Sequence, residues 1–136
     1  MILIDAGPLV ALVDADDQYH SLCVEAFKAI REPLGTVWPA LTEAMYLLAD
    51  LPLARDAVWE MIARSVIQLL PLTSGDVPRM RELMRKYADR PMDLADAALV
   101  AVAERESVRT IFTVDTSDFR VYRLHGRLRL ALIPRL

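Results

Sequence analysis

Asp93-Leu94-Ala95-Asp96-Ala97-Ala98-Leu99-Val100-Ala101-Val102-Ala103-Glu104 is the stretch on which the fold turns. Its apolar residues fall on almost every side of a helix, so the helix predicted from Leu94 to Glu104 belongs in the interior. Asp96 interrupts that helix. A charged group there costs several kcal/mol unless it is paired or binds a metal, and no Lys or Arg lies one turn away in either direction. Asp93 is three residues earlier on the same face and is well placed to cap the helix.

Working outward, Thr110-Ile111-Phe112-Thr113-Val114 reads as a buried strand followed directly by Asp115. Asp115 to Tyr122 reads as a turn and a short helix, and Leu130-Ala131-Leu132-Ile133 as a last strand. At the other end, Ile2-Leu3-Ile4 is a short apolar strand that runs into Asp5-Ala6-Gly7-Pro8, a tight turn into a helix with Pro8 in its first turn. Between these, Leu22, Cys23, Ala26, Phe27 and Ile30 recur at helical spacing. Thr36-Val37-Trp38 and Val66 to Leu70 read as strands. Pro39 opens a helix carrying Leu41, Ala44, Met45 and Leu48, and a further helix is predicted over Arg55 to Arg64. Ser74 or Asp76 caps another that ends near Tyr87. Short continuous apolar strands alternating with helices predict an α/β fold: a three-layer α/β/α sandwich around a mostly parallel central sheet of about five strands, one domain over residues 1–136. In such sheets the ligand site lies beyond the carboxyl ends of the strands.

The composition agrees and narrows the chemistry. At 136 residues, 54% hydrophobic and 26% charged, the chain has the apolar surface for a large core, which excludes a disordered protein. The longest unbroken apolar run, Ala97 to Ala103, falls far short of the ~20 residues of a membrane span, and Met1-Ile2-Leu3-Ile4-Asp5 has no secretory-signal pattern. A cytoplasmic protein without membrane attachment is expected. Cys23 is the one cysteine, which excludes an internal disulfide and a thiolate zinc site; it is expected in the core. His20 and His125 are too few for a histidine-rich metal site. The net charge of −3 divides unevenly: residues 1–78 hold four Lys/Arg and eleven Asp/Glu, residues 79–136 twelve and eight. The basic half is compatible with a polyanionic ligand.

Chemistry here therefore falls to carboxylates. Asp5 and Asp115 each follow a strand, which places both at the carboxyl edge of a parallel sheet, and Glu43 lies early in the helix after the second strand. Taken singly, Asp5 and Asp115 read equally as helix caps and Glu43 as a surface residue. Taken together with Asp96 they form a rim of like charge. Two carboxylates ~5 Å apart repel by roughly 3 kcal/mol at an effective dielectric of about 20. A divalent cation removes that conflict, and oxygen-only ligands suit Mg²⁺ or Mn²⁺.

The order Asp5, Glu43, Asp96, Asp115 resembles the acidic quartet of PIN-domain nucleases, and within them the VapC-like toxins of bacterial toxin–antitoxin pairs. The matching pieces are Ile4-Asp5 with Leu9-Val10-Ala11-Leu12 behind it and His20 downstream, Thr42-Glu43-Ala44, Leu94 through Ala103, and Thr113-Val114-Asp115-Thr116-Ser117-Asp118-Phe119. Gly7 departs from the pattern, where the family often has Ser or Thr, and Asp93 competes with Asp96 for the third acidic position. The resemblance implies a metal-dependent endoribonuclease cutting single-stranded or loop RNA to leave a 5′-phosphate and a 3′-hydroxyl. By position, Asp5, Asp96 and Asp115 would hold Mg²⁺, with Mn²⁺ an alternative. Glu43 would bind a water or second metal and help orient the attacking hydroxide, and Asp118 would support the site or start a helix. It further implies a homodimer neutralised by a cognate antitoxin. The competing reading is a PIN-like module that binds RNA or protein without catalysis.

Two basic groups, Arg79, Arg81, Arg85, Lys86 and Arg90, and Arg120, Arg123, Arg127 and Arg129, are candidates for phosphate contacts. Trp38 and Trp59 are expected to pack in the core, with base stacking the alternative. Apolar faces around Tyr46-Leu47 and Val58-Trp59-Met61-Ile62 serve either partner contacts or the chain's own core.

Overall fold

A computed structural model describes residues 1–136. The elements run β1 (Ile2–Ile4), α1 (Ala6–Val13), α2 (His20–Ala29), β2 (Leu34–Thr36), α3 (Trp38–Leu47), α4 (Pro52–Ala63), β3 (Ile67–Leu69), a 3₁₀ turn (Ser74–Asp76), α5 (Val77–Lys86), α6 (Leu94–Arg105), β4 (Thr110–Phe112), α7 (Thr116–Phe119), β5 (Arg123–Leu124), β6 (Leu128–Arg129) and β7 (Ala131–Ile133). Five strands form one parallel sheet in the order β3-β2-β1-β4-β7. The parallel α/β sandwich expected from the sequence is the observed fold.

Alternation along each strand divides the core between two faces. Leu3 of β1 and Ile111 of β4 point to the side covered by α6 and α5, together with Val37, Ala40, Phe119 and Tyr122. Ile2, Ile4 and Phe112 point to the other side, against α1, α3 and α4 through Leu9, Leu41, Ala44 and Val58. Helix α6 is buried from Ala95 to Ala103 without a break, as its all-round apolar sequence requires. Cys23 is fully buried in the second face, where burial pushes its thiol up to about 11.

Three local readings are corrected. The second strand is Leu34–Thr36, earlier than the expected 36–38, and Trp38 opens α3 with Pro39 in its first turn. Gly35 lies inside this strand, where a Cβ would sit 3.1 Å from Leu70 Cδ1 and from Met1 Sδ, a close fit against two flexible side-chain ends. Strand β4 ends at Phe112, so Asp115 sits three residues past the end of the strand rather than directly after it. An antiparallel ribbon, β5 with β6, was not expected and lies outside the main sheet. Each of its strands is two residues long, too short to carry a periodic signal.

The ribbon and α5 are fastened to α6 by one acid. Glu104 takes two bonds from the Arg79 guanidinium, both 2.7 Å, and accepts from the His125 backbone N–H. No helix is long and apolar enough to cross a membrane. Because Leu99 is fully enclosed at the middle of α6, Leu99→Ala is expected to lower the unfolding free energy by about 3 kcal/mol, measured by urea denaturation in the absence of metal.

Candidate active site

β1 and β4 lie side by side and end together, and the four sequence-predicted acids are arranged around that end. Asp5 is the N-cap of α1; its Oδ1 accepts from the Ala6 N–H at 2.8 Å. Its Oδ2 accepts from Thr113 Oγ1 at 3.1 Å, and the same Thr113 Oγ1 accepts the backbone N–H of Asp115 at 3.0 Å. Thr113 is fully buried and so ties the Asp5 carboxylate to the loop carrying Asp115. A second threonine, Thr36, braces the neighbouring strand end by donating to the Ile4 carbonyl at 2.8 Å.

Asp96 comes to the same edge from the first turn of α6. Asp93 caps that helix: its Oδ1 accepts from the Asp96 N–H at 2.8 Å. Asp96 is only 7% exposed, and its Oδ2 accepts from the Tyr122 hydroxyl at 2.7 Å. Asp93 itself is exposed, so the two acids divide the roles left open between them: one terminates the helix, and the other is carried inward. Glu43, from the second turn of α3, is exposed and lines an open cleft of about 640 Å³ with Trp38, Thr42, Tyr46, Asp93 and Leu94.

The electrostatics show that these groups share one field. Burial pushes the Asp5 carboxyl up to about 6, against the two hydrogen bonds it accepts, and the charges of Glu43 and Asp93 push it further. Burial likewise drives Asp96 up to about 8; the Tyr122 hydroxyl opposes the rise, and Asp93, Asp5 and Asp115 add to it. Glu43, although exposed, is raised by partial loss of water on its cleft side and by the charges of Asp93 and Asp115. Asp115 is raised by burial and by Asp118. None of Asp5, Glu43, Asp96 and Asp115 has a Lys or Arg partner, although the chain forms ion pairs elsewhere.

No three His, Cys, Asp or Glu side chains are gathered tightly enough to grip one ion as they stand. The donor set is all oxygen, acidic and without a protein counter-charge, and in that respect Asp5, Asp96 and Asp115 fit a hard divalent cation.

The remaining candidates separate. Gly7 sits in the first turn of α1, and a Cβ there would lie 2.6 Å from Val114 Cγ2. The side chain of Val114 thus occupies the place a hydroxyl residue would need. Asp115 is the N-cap of α7, while Asp118 lies within the helix's single turn and pairs with Arg90 at 3.2 Å. Arg79 is committed to Glu104 and Glu82, and the Arg123 guanidinium donates to the carbonyls of Arg120, Val121 and Tyr122. Arg81, Arg85, Lys86, Arg120, Arg127 and Arg129 are exposed. Trp38 and Trp59 are not core residues: they are 51% and 46% exposed, with ring centroids 6.5 Å apart. His20, whose Nδ1 lies 2.6 Å from the Ala11 carbonyl, fastens α2 to α1.

Sequence reasoning missed two side chains. Thr113 carried no role, although a threonine two residues before Asp115 at the end of an apolar strand is a usable signal. Tyr122 lies 26 residues from Asp96 in a stretch rich in arginine, with nothing local to connect them.

Comparison with known proteins bears on the family and the fold. The model of the family described as PIN domain matches residues 2–124. Ribonuclease VapC26 of Mycobacterium tuberculosis is 28% identical over an alignment of 142 residues, covering 98% of this chain and 100% of that protein. The crystal structure of Mycobacterium tuberculosis VapC20, described as a sarcin-ricin loop cleaving toxin, superposes with a TM-score of 0.77. It covers 87% of this chain and 94% of the other at 20% identity, a likeness of fold.

The raised carboxyls set a pH dependence. Asp5 and Asp96 hold protons more tightly folded, at about 6 and about 8, than unfolded, at about 3.9. Their contribution to stability is full below about pH 4 and is lost as pH rises through about 6 and then about 8. In calorimetric melts with EDTA, the midpoint is expected to fall across that window. Asp96→Asn should remove most of the fall above pH 6 and raise the metal-free midpoint at pH 8.

Proposed function

The chain belongs to the PIN-domain family, and on that premise we propose that it is a divalent-metal-dependent endoribonuclease toxin that hydrolyses single-stranded or loop RNA and is neutralised by a cognate antitoxin. The observation that carries the reading is the burial of Asp5 and Asp96 in one electrostatic field with Glu43 and Asp115, with no protein cation to offset them. Such an arrangement destabilises a protein that has no use for a cation. The kinship with ribonuclease VapC26 supports RNA as the substrate.

Asp5, Asp96 and Asp115 are the residues that would hold the ion, Mg²⁺ or Mn²⁺. When bound, such an ion lowers the pKa of water, neutralises phosphate charge and aligns an in-line displacement. The chain's own part is positional. Thr113 keeps Asp5 and the Asp115 loop in register. Glu43, exposed on the cleft beside Asp93, would orient a water on the scissile phosphate. The arginines with no ion-pair partner, Arg81, Arg85 and Arg120 among them, offset the repulsion between the acidic edge and the RNA backbone. The half-exposed Trp38 and Trp59 and the exposed Tyr46, Leu47 and Leu53 offer apolar surface for the antitoxin or for a second copy in a homodimer.

A non-cutting PIN-like module for RNA or protein is the second reading. What favours it is that no three acids are gathered about one point.

Incubation with single-stranded and stem-loop RNAs in Mg²⁺, Mn²⁺ or EDTA decides between them. Cleavage is expected with either ion and not with EDTA. In Asp5→Asn and Asp96→Asn the rate should fall to below about one hundredth of wild type, a loss of roughly 2.7 kcal/mol of transition-state stabilisation. RNA binding without cleavage in any of these ions would favour the non-cutting module instead.

A further inference from the structure

Asp96 is held by a single side chain. The Tyr122 hydroxyl donates to Oδ2, and both residues are buried. Oδ1 takes no hydrogen bond, yet no buried side-chain oxygen in the chain lacks a partner, so Oδ1 is the oxygen open to solvent. The tyrosine ring is fully enclosed. Tyr87 and Phe119 meet it edge-on, with centroids 4.9 and 5.3 Å away. Tyr87 is fixed in turn: its hydroxyl accepts the backbone N–H of Arg123, the residue directly after Tyr122, at 3.1 Å. Three aromatic rings drawn from the end of α5, from α7 and from the segment after it thus aim one hydroxyl at one carboxylate oxygen.

We propose that Tyr122 is a positioning residue for cation binding: its hydroxyl fixes the Asp96 carboxylate so that Oδ1 is presented to a divalent ion. The inference rests on the reading of Asp96 as a cation ligand. A carboxylate free to rotate must be ordered when the ion arrives, and a donor on its far oxygen removes that cost in advance. Asp5 is oriented independently, by the Ala6 N–H and Thr113, so loss of the Tyr122 hydroxyl weakens the site without abolishing it.

Calorimetric titration of metal-free protein with Mn²⁺ tests this in wild type, Asp96→Asn, Tyr122→Phe and Ile67→Ala, alongside melting curves in EDTA. Wild type is expected to bind Mn²⁺ and Asp96→Asn to lose binding. Tyr122→Phe should bind roughly 10- to 100-fold more weakly. Ile67 is fully buried at the start of the edge strand β3, away from the acids, so Ile67→Ala should lower the melting point and leave Mn²⁺ affinity unchanged. A purely structural role for Tyr122 would give it that same pattern, and wild-type affinity or tighter in Tyr122→Phe overturns the proposal. If wild type takes up no Mn²⁺, both the cation-site reading and this inference fall. If wild type binds, Asp96→Asn does not and Tyr122→Phe matches wild type, only this inference falls. Should Tyr122→Phe not fold, ¹³C-labelled tyrosine in the wild-type protein provides the readout. The Tyr122 Cζ resonance is expected to shift with added Mg²⁺ over the range in which the ion binds, and a static resonance overturns the proposal.

Discussion

Asp5 and Asp96 carry carboxylates into a region that strips them of water and gives neither a cationic side chain. A folded protein keeps such groups only by protonating them, by hydrogen bonding them, or by binding a counter-ion. Here hydrogen bonds supply part of the answer, through the Ala6 N–H, Thr113 and Tyr122. Raised proton affinity supplies another part, and the reading of the site as a cation centre follows from what is left over.

The rest of the architecture serves to bring these acids from distant parts of the chain to one edge. The parallel pairing of β1 with β4 sets Asp5 near Asp115 although 110 residues separate them in sequence. Helix α6 delivers Asp96 because its remaining surface is apolar throughout, so that the whole helix, acid included, is drawn against the sheet. Asp93 fixes where that helix begins and therefore which way Asp96 points. Stability and the site are thus set by the same packing: a cavity beneath α6 would move Asp96 as well as weaken the core.

Much of this was legible in the sequence, for identifiable reasons. The buried helix, the parallel sheet and the acids at strand ends follow from apolar runs too continuous for a surface and from charged residues set inside them. What was not legible was of two kinds. The second strand was expected at 36–38, and the close packing of Gly35 against Met1 and Leu70 within the observed strand is a tertiary fact. Trp38 and Trp59 were read as core from residue type alone, but α3 and α4 present them to solvent. Arg79 looked like a phosphate contact until Glu104, 25 residues away, was seen to hold it. Tyr122 had no local pattern to link it with Asp96. Long-range polar pairs leave no periodic trace, so pattern reading does not reach them.

The most direct test of the account is an anomalous-difference map from a crystal of this protein soaked in Mn²⁺. The account predicts a peak at the carboxyl edge of the sheet, about 2.2 Å from oxygens of Asp5 and Asp96 and joined to Asp115 directly or through water. A map with no peak there, or with the ion held only at other surface acids, would contradict it.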